Sequence, residues 1–333
     1  MSIENTIEEA QKLLFEKIEW KKRYEGYAMN LLNNIDNNFI KKYRQRFNEF
    51  SPLCFYISNT NATIDTKKNK EKRLLLDVRY RGQSVATLKA TPNDIIISTK
   101  DKVTKNLRDF DCNIELKDVS WKDVITQEFR KHFKYRVDTR NNTPNNKGNE
   151  EHSVESLLLT EFSKKNSKNK QIHGIQPVKI CGIRFGMPTP ISASDHKKPL
   201  RYSKHKGGGI DIFARTGKGR STYLTIIEVK DENKDSDPPT DALKQAIQYA
   251  VFIRELLRSS NGENWYKIFG FKGKIPQKLT IRVACAMPDN ILDKSFAKKT
   301  YLIGNDNIEC HYIYFKYDGK QLSNFQTSLS SNE

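Results

Sequence analysis

Residues 207–249 read GGGIDIFARTGKGRSTYLTIIEVKDENKDSDPPTDALKQAIQY. Asp211 stands in a short apolar run after three glycines, and Glu228 and Lys230 close a second run, Ile226-Ile227-Glu228-Val229-Lys230. Short β-branched runs bounded by turn residues read as strands. The segment TGKGR between them reads as a hairpin turn. Alternate residues of a strand face opposite sides, so Glu228 and Lys230 share one face while Ile227 and Val229 point into a core. A hairpin brings Asp211 to the same surface as Glu228 and Lys230. A polar loop leads into a helix from Asp241 to Leu257, preceded by Pro238-Pro239 with Thr240 as the expected N-cap. Gln245 and Tyr249 lie one turn apart on it.

Carboxylates where inner strands should be purely apolar need a chemical reason. Taken singly, an Asp on a strand or a Glu-x-Lys pair is ordinary solvated surface. In this order, with apolar flanks and an amphipathic helix behind, the set points to chemistry. Two carboxylates, the backbone carbonyl of Val229 and waters are the hard oxygen ligands that Mg²⁺ prefers. Such an ion polarises a phosphodiester and acidifies a bound water. Lys230 is placed to orient or deprotonate that water, or to neutralise developing charge.

The 333 residues carry 58 Lys and Arg against 40 Asp and Glu, a formal charge of +18. A balance this basic attracts polyanions, nucleic acid first among them, although Lys-rich composition alone would give the same total. Mean hydropathy is −0.74, which fits long polar surfaces. The five cysteines are scattered without zinc spacing, as in a reducing cytoplasm. The N-terminal residues show no signal peptide and no apolar run reaches membrane-spanning length, so cytoplasmic location without membrane contact is expected.

Along the chain, residues 1–48 show helical spacing, and residues 52–100 change to short β-type runs. Ser120 to Phe133 reads as a helix with Ser120 as N-cap. Residues 1–137 are therefore expected to form a separate α+β module of helices and a small antiparallel sheet. Its basic residues either grip a phosphate backbone or solvate a surface. The Asn-rich stretch 138–150 reads as a linker, 151–320 as the chemistry-bearing domain, and 321–333 as a flexible tail. Within that domain a helix over 150–165, strands around 175–188, the two strands above, a further strand at KLTIRVACAMP, a short helix around 291–298 and the strand IECHYIYFKY follow. This order implies an α/β layer structure with a mixed sheet.

Asp211, then sixteen residues, then Glu228-Val229-Lys230 resembles the PD-(D/E)xK nuclease superfamily, of restriction-endonuclease-like fold. The resemblance covers a little over half the chain and implies an αβββαβ core. It implies metal ligation by Asp211 and Glu228, and assistance to the attacking water by Lys230. Gln245 and Tyr249 resemble the QxxxY motif of one branch of the family, implying that Gln245 orients the site and Tyr249 meets nucleic acid. Gln248 is an alternative to Gln245. A metal-proximal Glu from the first core helix is implied at Glu155, ahead of Glu151 and Glu161. Ile210 stands where the family motif has Pro.

The basic loop before Asp211 offers Arg201, Lys204, His205 and Lys206 as phosphate contacts, with His205 and His196 also readable as solvated loop residues. The glycines at 207–209 allow close backbone approach. Together these readings give a Mg²⁺-dependent nuclease, with Mn²⁺ able to substitute, acting on nucleic acid with DNA favoured over RNA. Restriction, defence or repair would be its setting. A homodimer or a partner protein bound through the N-terminal module is compatible with this. The alternative is an inactive subunit that binds nucleic acid or assembles with partners.

Overall fold

The computed structural model describes residues 2–36, 53–58, 74–90, 94–105, 110, 112–135, 150–164, 172–180, 182–193, 199–204 and 207–329. Two helices open the chain, α1 (Ile3–Glu16) and α2 (Glu19–Asp36). Ser2 caps α1 by accepting a hydrogen bond from the Asn5 amide at 3.2 Å. Four antiparallel strands follow: β1 (Leu53–Ile57), β2 (Leu74–Tyr80), β3 (Gln83–Ala90) and β4 (Ile95–Thr99). Next come the one-turn helix α3 (Asp101–Thr104), the short β5 (Val119–Ser120) and α4 (Val124–Tyr135). Strict alternation gives this sheet two unlike faces. Leu74, Leu76, Val78 and Tyr80 are buried. Tyr80 meets Phe133 of α4 at 4.8 Å between ring centroids. Asp77 and Arg79 alternate with these apolar positions and put charged groups on the opposite face, which also carries Leu75 and, on β1, Cys54 and Tyr56.

Helix α5 (Glu150–Ser163) leads to the short strands β6 (Gln176–Pro177), β7 (Lys179–Ile180), β8 (Ile183–Phe185), β9 (Pro188–Thr189), β10 (Ile191–Ser192), β11 (Arg201–Tyr202) and β12 (Gly208–Gly209). The long elements then follow: β13 (Ile212–Lys218), β14 (Ser221–Val229), α6 (Pro239–Leu257), α7 (Gly262–Ile268), β15 (Thr280–Pro288), β16 (Thr300–Ile303), β17 (Asp306–Tyr317) and β18 (Leu322–Thr327). The second sheet runs β16-β17-β15-β14-β13-β6, with β18 on β17. Strands β14, β15 and β17 are mutually parallel, whereas β13, β16 and β18 pair antiparallel. The chain is thus a mixed α/β protein with mixed sheets.

Side-chain alternation splits the core of the second sheet. Phe213, Leu224, Ile226, Ile281 and Val283 face α6. Ile212, Ala214, Ile227, Val229, Ala284 and Ala286 face the other way, against Val154 and Leu158 of α5. Helix α6 is buried nearly all round. One side meets the sheet and the other is covered by α1 and α7. Trp20 and Tyr24 of α2 pack edge-on against Phe252 at 5.5 and 5.0 Å. The first helices therefore complete the core of the C-terminal half.

Packing differs from the sequence expectation in several places. The 1–137 segment is not a free-standing module. Its helices cover α6, and its sheet is extended by β8 and β7 to the order β5-β4-β3-β2-β1-β8-β7, with Tyr56 of β1 in parallel register with Arg184 of β8. The linker expected at 138–150 lies outside the described residues up to Glu150, where α5 begins. The expected flexible tail contains β18, whose Leu322 and Phe325 are buried. Residues 291–298 form turns in place of a helix. Asp123, not Ser120, caps α4, its Oδ1 accepting from the Ile125 amide at 3.1 Å. Helix α6 begins behind Pro238, ahead of Thr240. No helix among the described residues is long and apolar enough to cross a membrane.

Candidate functional site

The hairpin of β13 and β14 has the register Ile212↔Ile227, which carried one residue further puts Asp211 opposite Glu228 at one end of the sheet. The Val229 amide donates to Asp211 Oδ2 at 2.9 Å. That bond pins the Asp211 carboxylate to the end of β14. Glu228 shares the α6 side with Ile226 and is 5% exposed. Its Oε1 accepts from Lys230 Nζ at 3.1 Å, and its buried Oε2 has no partner among the described residues. Lys230 Nζ also stands 3.7 Å from Glu151 Oε2.

Helix α5 delivers Glu151 and Glu155 one turn apart on the same face. Glu155 is buried, 3.7 Å from Arg79 Nη1 and 3.4 Å from His152 Nδ1. Glu161 instead pairs with Lys164, two turns away from Glu155. Four carboxylates therefore share one neighbourhood. Burial raises Asp211 well above the usual carboxylate range, and Glu228, Glu151 and Glu155 push it further in the same direction. Burial likewise pushes Glu228 up to about 7 against the pull of Lys230. Burial raises Glu151 too. Burial alone would lower Lys230, but Glu228, Glu151 and Asp211 outweigh it and hold the ammonium protonated. Lys230 is accordingly an orienting and charge-neutralising cation in this state, rather than a proton acceptor.

Gln245 and Tyr249 lie one turn apart on α6, and both are buried. Gln245 Oε1 is a second buried oxygen with no partner among the described residues, whereas Gln248 is only half-buried. Tyr249 is 2% exposed, so the expected contact with a nucleic-acid strand is not offered by its placement. Its hydroxyl accepts from the Ala193 backbone. A Cβ on Gly208 would come within 2.7 Å of that hydroxyl. The glycines thus serve close packing of β12 on Tyr249 and β9. Arg201 and Lys204 are exposed beside this strand pair, while His205, Lys206 and His196 lie outside the described residues.

Among the described residues no three His, Cys, Asp or Glu side chains are gathered at metal-binding range. The donor set nevertheless fits a hard divalent ion. It consists of oxygen only, one member, Glu228, carries a buried oxygen with no partner among the described residues, and mutual repulsion of its carboxylates is what a cation would relieve. Asp211, Glu228, the Val229 carbonyl and either Glu155 or Glu151 would hold it.

A cleft of about 200 Å³ opens on Asp211 and is lined by Glu155, His152, Tyr56, Arg79 and Arg184. Nothing in the sequence pointed to the last three. They come from β1, β2 and β8, and the face they share exists only once β8 pairs with β1. Glu151 was legible through its i,i+4 relation to Glu155, but its pairing with Lys230 was not. Fold and site together define a partly buried carboxylate cluster with an attendant lysine at one end of a mixed sheet. Comparison with protein-family models, with curated proteins and with solved structures finds no match to this chain.

Proposed function

We propose that this chain is a divalent-metal-dependent phosphodiesterase acting on nucleic acid, a nuclease of the PD-(D/E)xK kind. One observation carries the reading. Buried Glu228 and half-buried Asp211 stand side by side, with Lys230 Nζ at 3.1 Å from Glu228 and protonated. Burying like charges together is costly unless a cation or chemistry requires it. The element order α5, β6, β13, β14, α6, β15 supports the same reading, since the αβββαβ expectation places its metal ligands on the hairpin that ends at Val229. The charge of +18 suits a polyanionic substrate, with DNA favoured.

Bound Mg²⁺ would supply Lewis-acid activation of the phosphoryl group and of a water. Asp211, fixed by the Val229 amide, and Glu228 present the ligand oxygens. Lys230 orients the water and balances charge on the phosphoryl oxygens. Gln245 supports the site from α6, and Tyr249 holds the Gly208 strand in place behind it. The test is incubation of purified protein with duplex DNA, single-stranded DNA and RNA in Mg²⁺, Mn²⁺ or EDTA, alongside Lys230→Ala. Metal-dependent cleavage lost in the variant supports the reading. Cleavage that persists in EDTA, or salt-sensitive binding with no cleavage under any metal, overturns it and leaves a binding subunit.

A further inference from the structure

The polar face of the N-terminal sheet forms the wall of the cleft opposite the carboxylates. Tyr56 is its centre. Arg79 lies over the Tyr56 ring with its guanidinium carbon 4.3 Å from the centroid. Arg184, in register with Tyr56 on β8, sits 5.4 Å from the same ring, and its Nη1 donates to the Tyr56 hydroxyl at 2.8 Å.

The two arginines are not equivalent. Arg79 donates through Nε to Asp77 Oδ2 at 2.8 Å and faces Glu155 at 3.7 Å, so its charge is balanced by fixed carboxylates. Arg184 uses one N–H on a neutral phenol, and among the described residues no carboxylate lies within ion-pair range of it. A guanidinium has five donors in a fixed fork. Arg184 therefore brings donors beyond the one used on Tyr56, and a charge that feels Glu155 only at longer range, to the cleft that Asp211 also lines. Stacking on Tyr56 fixes the plane of the fork in advance, which lowers the entropy lost on binding. A planar cation facing a metal-binding carboxylate across a cleft of this size is matched by a phosphodiester, whose oxygens accept from guanidinium in bidentate fashion.

We propose that Arg184, positioned by Tyr56 and flanked by Arg79, is the subsite for the phosphate adjacent to the scissile one. The N-terminal sheet is then part of the substrate-binding machinery. This inference rests on the nuclease reading above.

The test uses the full chain and fluorescently labelled oligonucleotides, with anisotropy measured in EDTA across a salt series and cleavage measured in Mg²⁺. Arg184→Gln is expected to weaken binding about tenfold, to lower the salt slope by about one, and to raise KM more than it lowers kcat. Arg184→Lys should restore the salt slope but not the full affinity, because it lacks the fork. In the wild type, a neutral methylphosphonate next to the cleaved linkage should cost a similar factor, and in Arg184→Gln it should cost little more. That substrate series remains decisive if the glutamine variant melts early. Wild-type cleavage with unchanged binding, salt slope and methylphosphonate sensitivity in Arg184→Gln overturns the subsite alone. Failure of the wild type to bind or cleave any substrate overturns the subsite together with the nuclease reading.

Discussion

The Val229 amide donates to Asp211 Oδ2 at 2.9 Å, so the backbone next to the buried Glu228 holds its half-buried acidic neighbour. The bond joins the end of β14 to the residue just before β13. It fixes the spacing of the acidic pair without any side-chain partner. Asp211→Asn keeps an acceptor for that amide and removes a charge that burial and three neighbours disfavour. In EDTA at pH 8 this variant is expected to be more stable than wild type by on the order of 1 kcal/mol, a rise in Tm of roughly 2–4 °C. Mg²⁺ should raise the wild-type Tm and leave the variant unmoved. Differential scanning calorimetry in EDTA and in Mg²⁺ checks both statements; a variant less stable than wild type in EDTA would show that Asp211 is there for folding.

The same electrostatics sets a pH dependence. The Glu228 carboxyl is raised from 4.5 to about 7. The folded state then binds its proton more tightly than the unfolded chain between those values, so metal-free stability falls as pH rises from about 4.5 to 7. Glu228→Gln should flatten that slope. Urea midpoints at pH 5, 6 and 7 in EDTA measure it. A wild-type midpoint that rises steadily across this window, with the same slope in Glu228→Gln, would mean the carboxyl is not perturbed.

Helices α1 and α2 hold a different kind of stake in the protein. Trp20 is 1% exposed, packs on Phe252 of α6 at 5.5 Å, and donates its Nε1 hydrogen to the Leu14 carbonyl at 3.0 Å. Trp20→Ala should destabilise the whole chain by about 3–5 kcal/mol, and deletion of residues 2–36 should expose the outer face of α6. Retention of the wild-type Tm by either variant would show that these helices are dispensable cover.

At the far end of the sheet Asp306 is buried. It accepts from Arg254 Nε at 2.9 Å, Arg258 Nε at 3.0 Å and the Leu279 amide at 2.9 Å. Both arginines and the burial of the carboxyl make this a structural clamp between α6, β15 and β17. Asp306→Ala should cost roughly 2–3 kcal/mol, because it leaves a buried amide without an acceptor and removes the carboxylate that both guanidinium groups share. Since the clamp lies at the opposite end of β15 from Glu228's neighbours, any residual folded protein should retain its kcat.

What could be read from the sequence was local. The hairpin through TGKGR, the shared face of Glu228 and Lys230, and the all-apolar strand Val283–Ala286 follow from period-two alternation, and β13, β14 and β15 carry them. Non-local pairing left no such trace. Strands of two or three residues, such as β7 and β8, have no periodicity to detect, yet β8 brings Arg184 beside Tyr56. The polar tail beyond Gln321 reads as frayed, but Leu322 and Phe325 are enough to anchor an edge strand on β17. Helices α1 and α2 show which face is apolar without showing that α6 is what they cover. For the site, Asp211, Glu228 and Lys230 were legible as a constellation, whereas the burial of Tyr249 and the pairing of Glu151 with Lys230 depend on how α6 and α5 dock.

The most direct test is the rate of phosphodiester cleavage by wild type and by Asp211→Asn in Mg²⁺, each repeated in EDTA. A nuclease centred on Asp211 and Glu228 predicts cleavage by the wild type in Mg²⁺ alone, reduced by at least about 10³-fold in the folded variant. Equal rates for the two proteins, or no dependence on the metal, would contradict it.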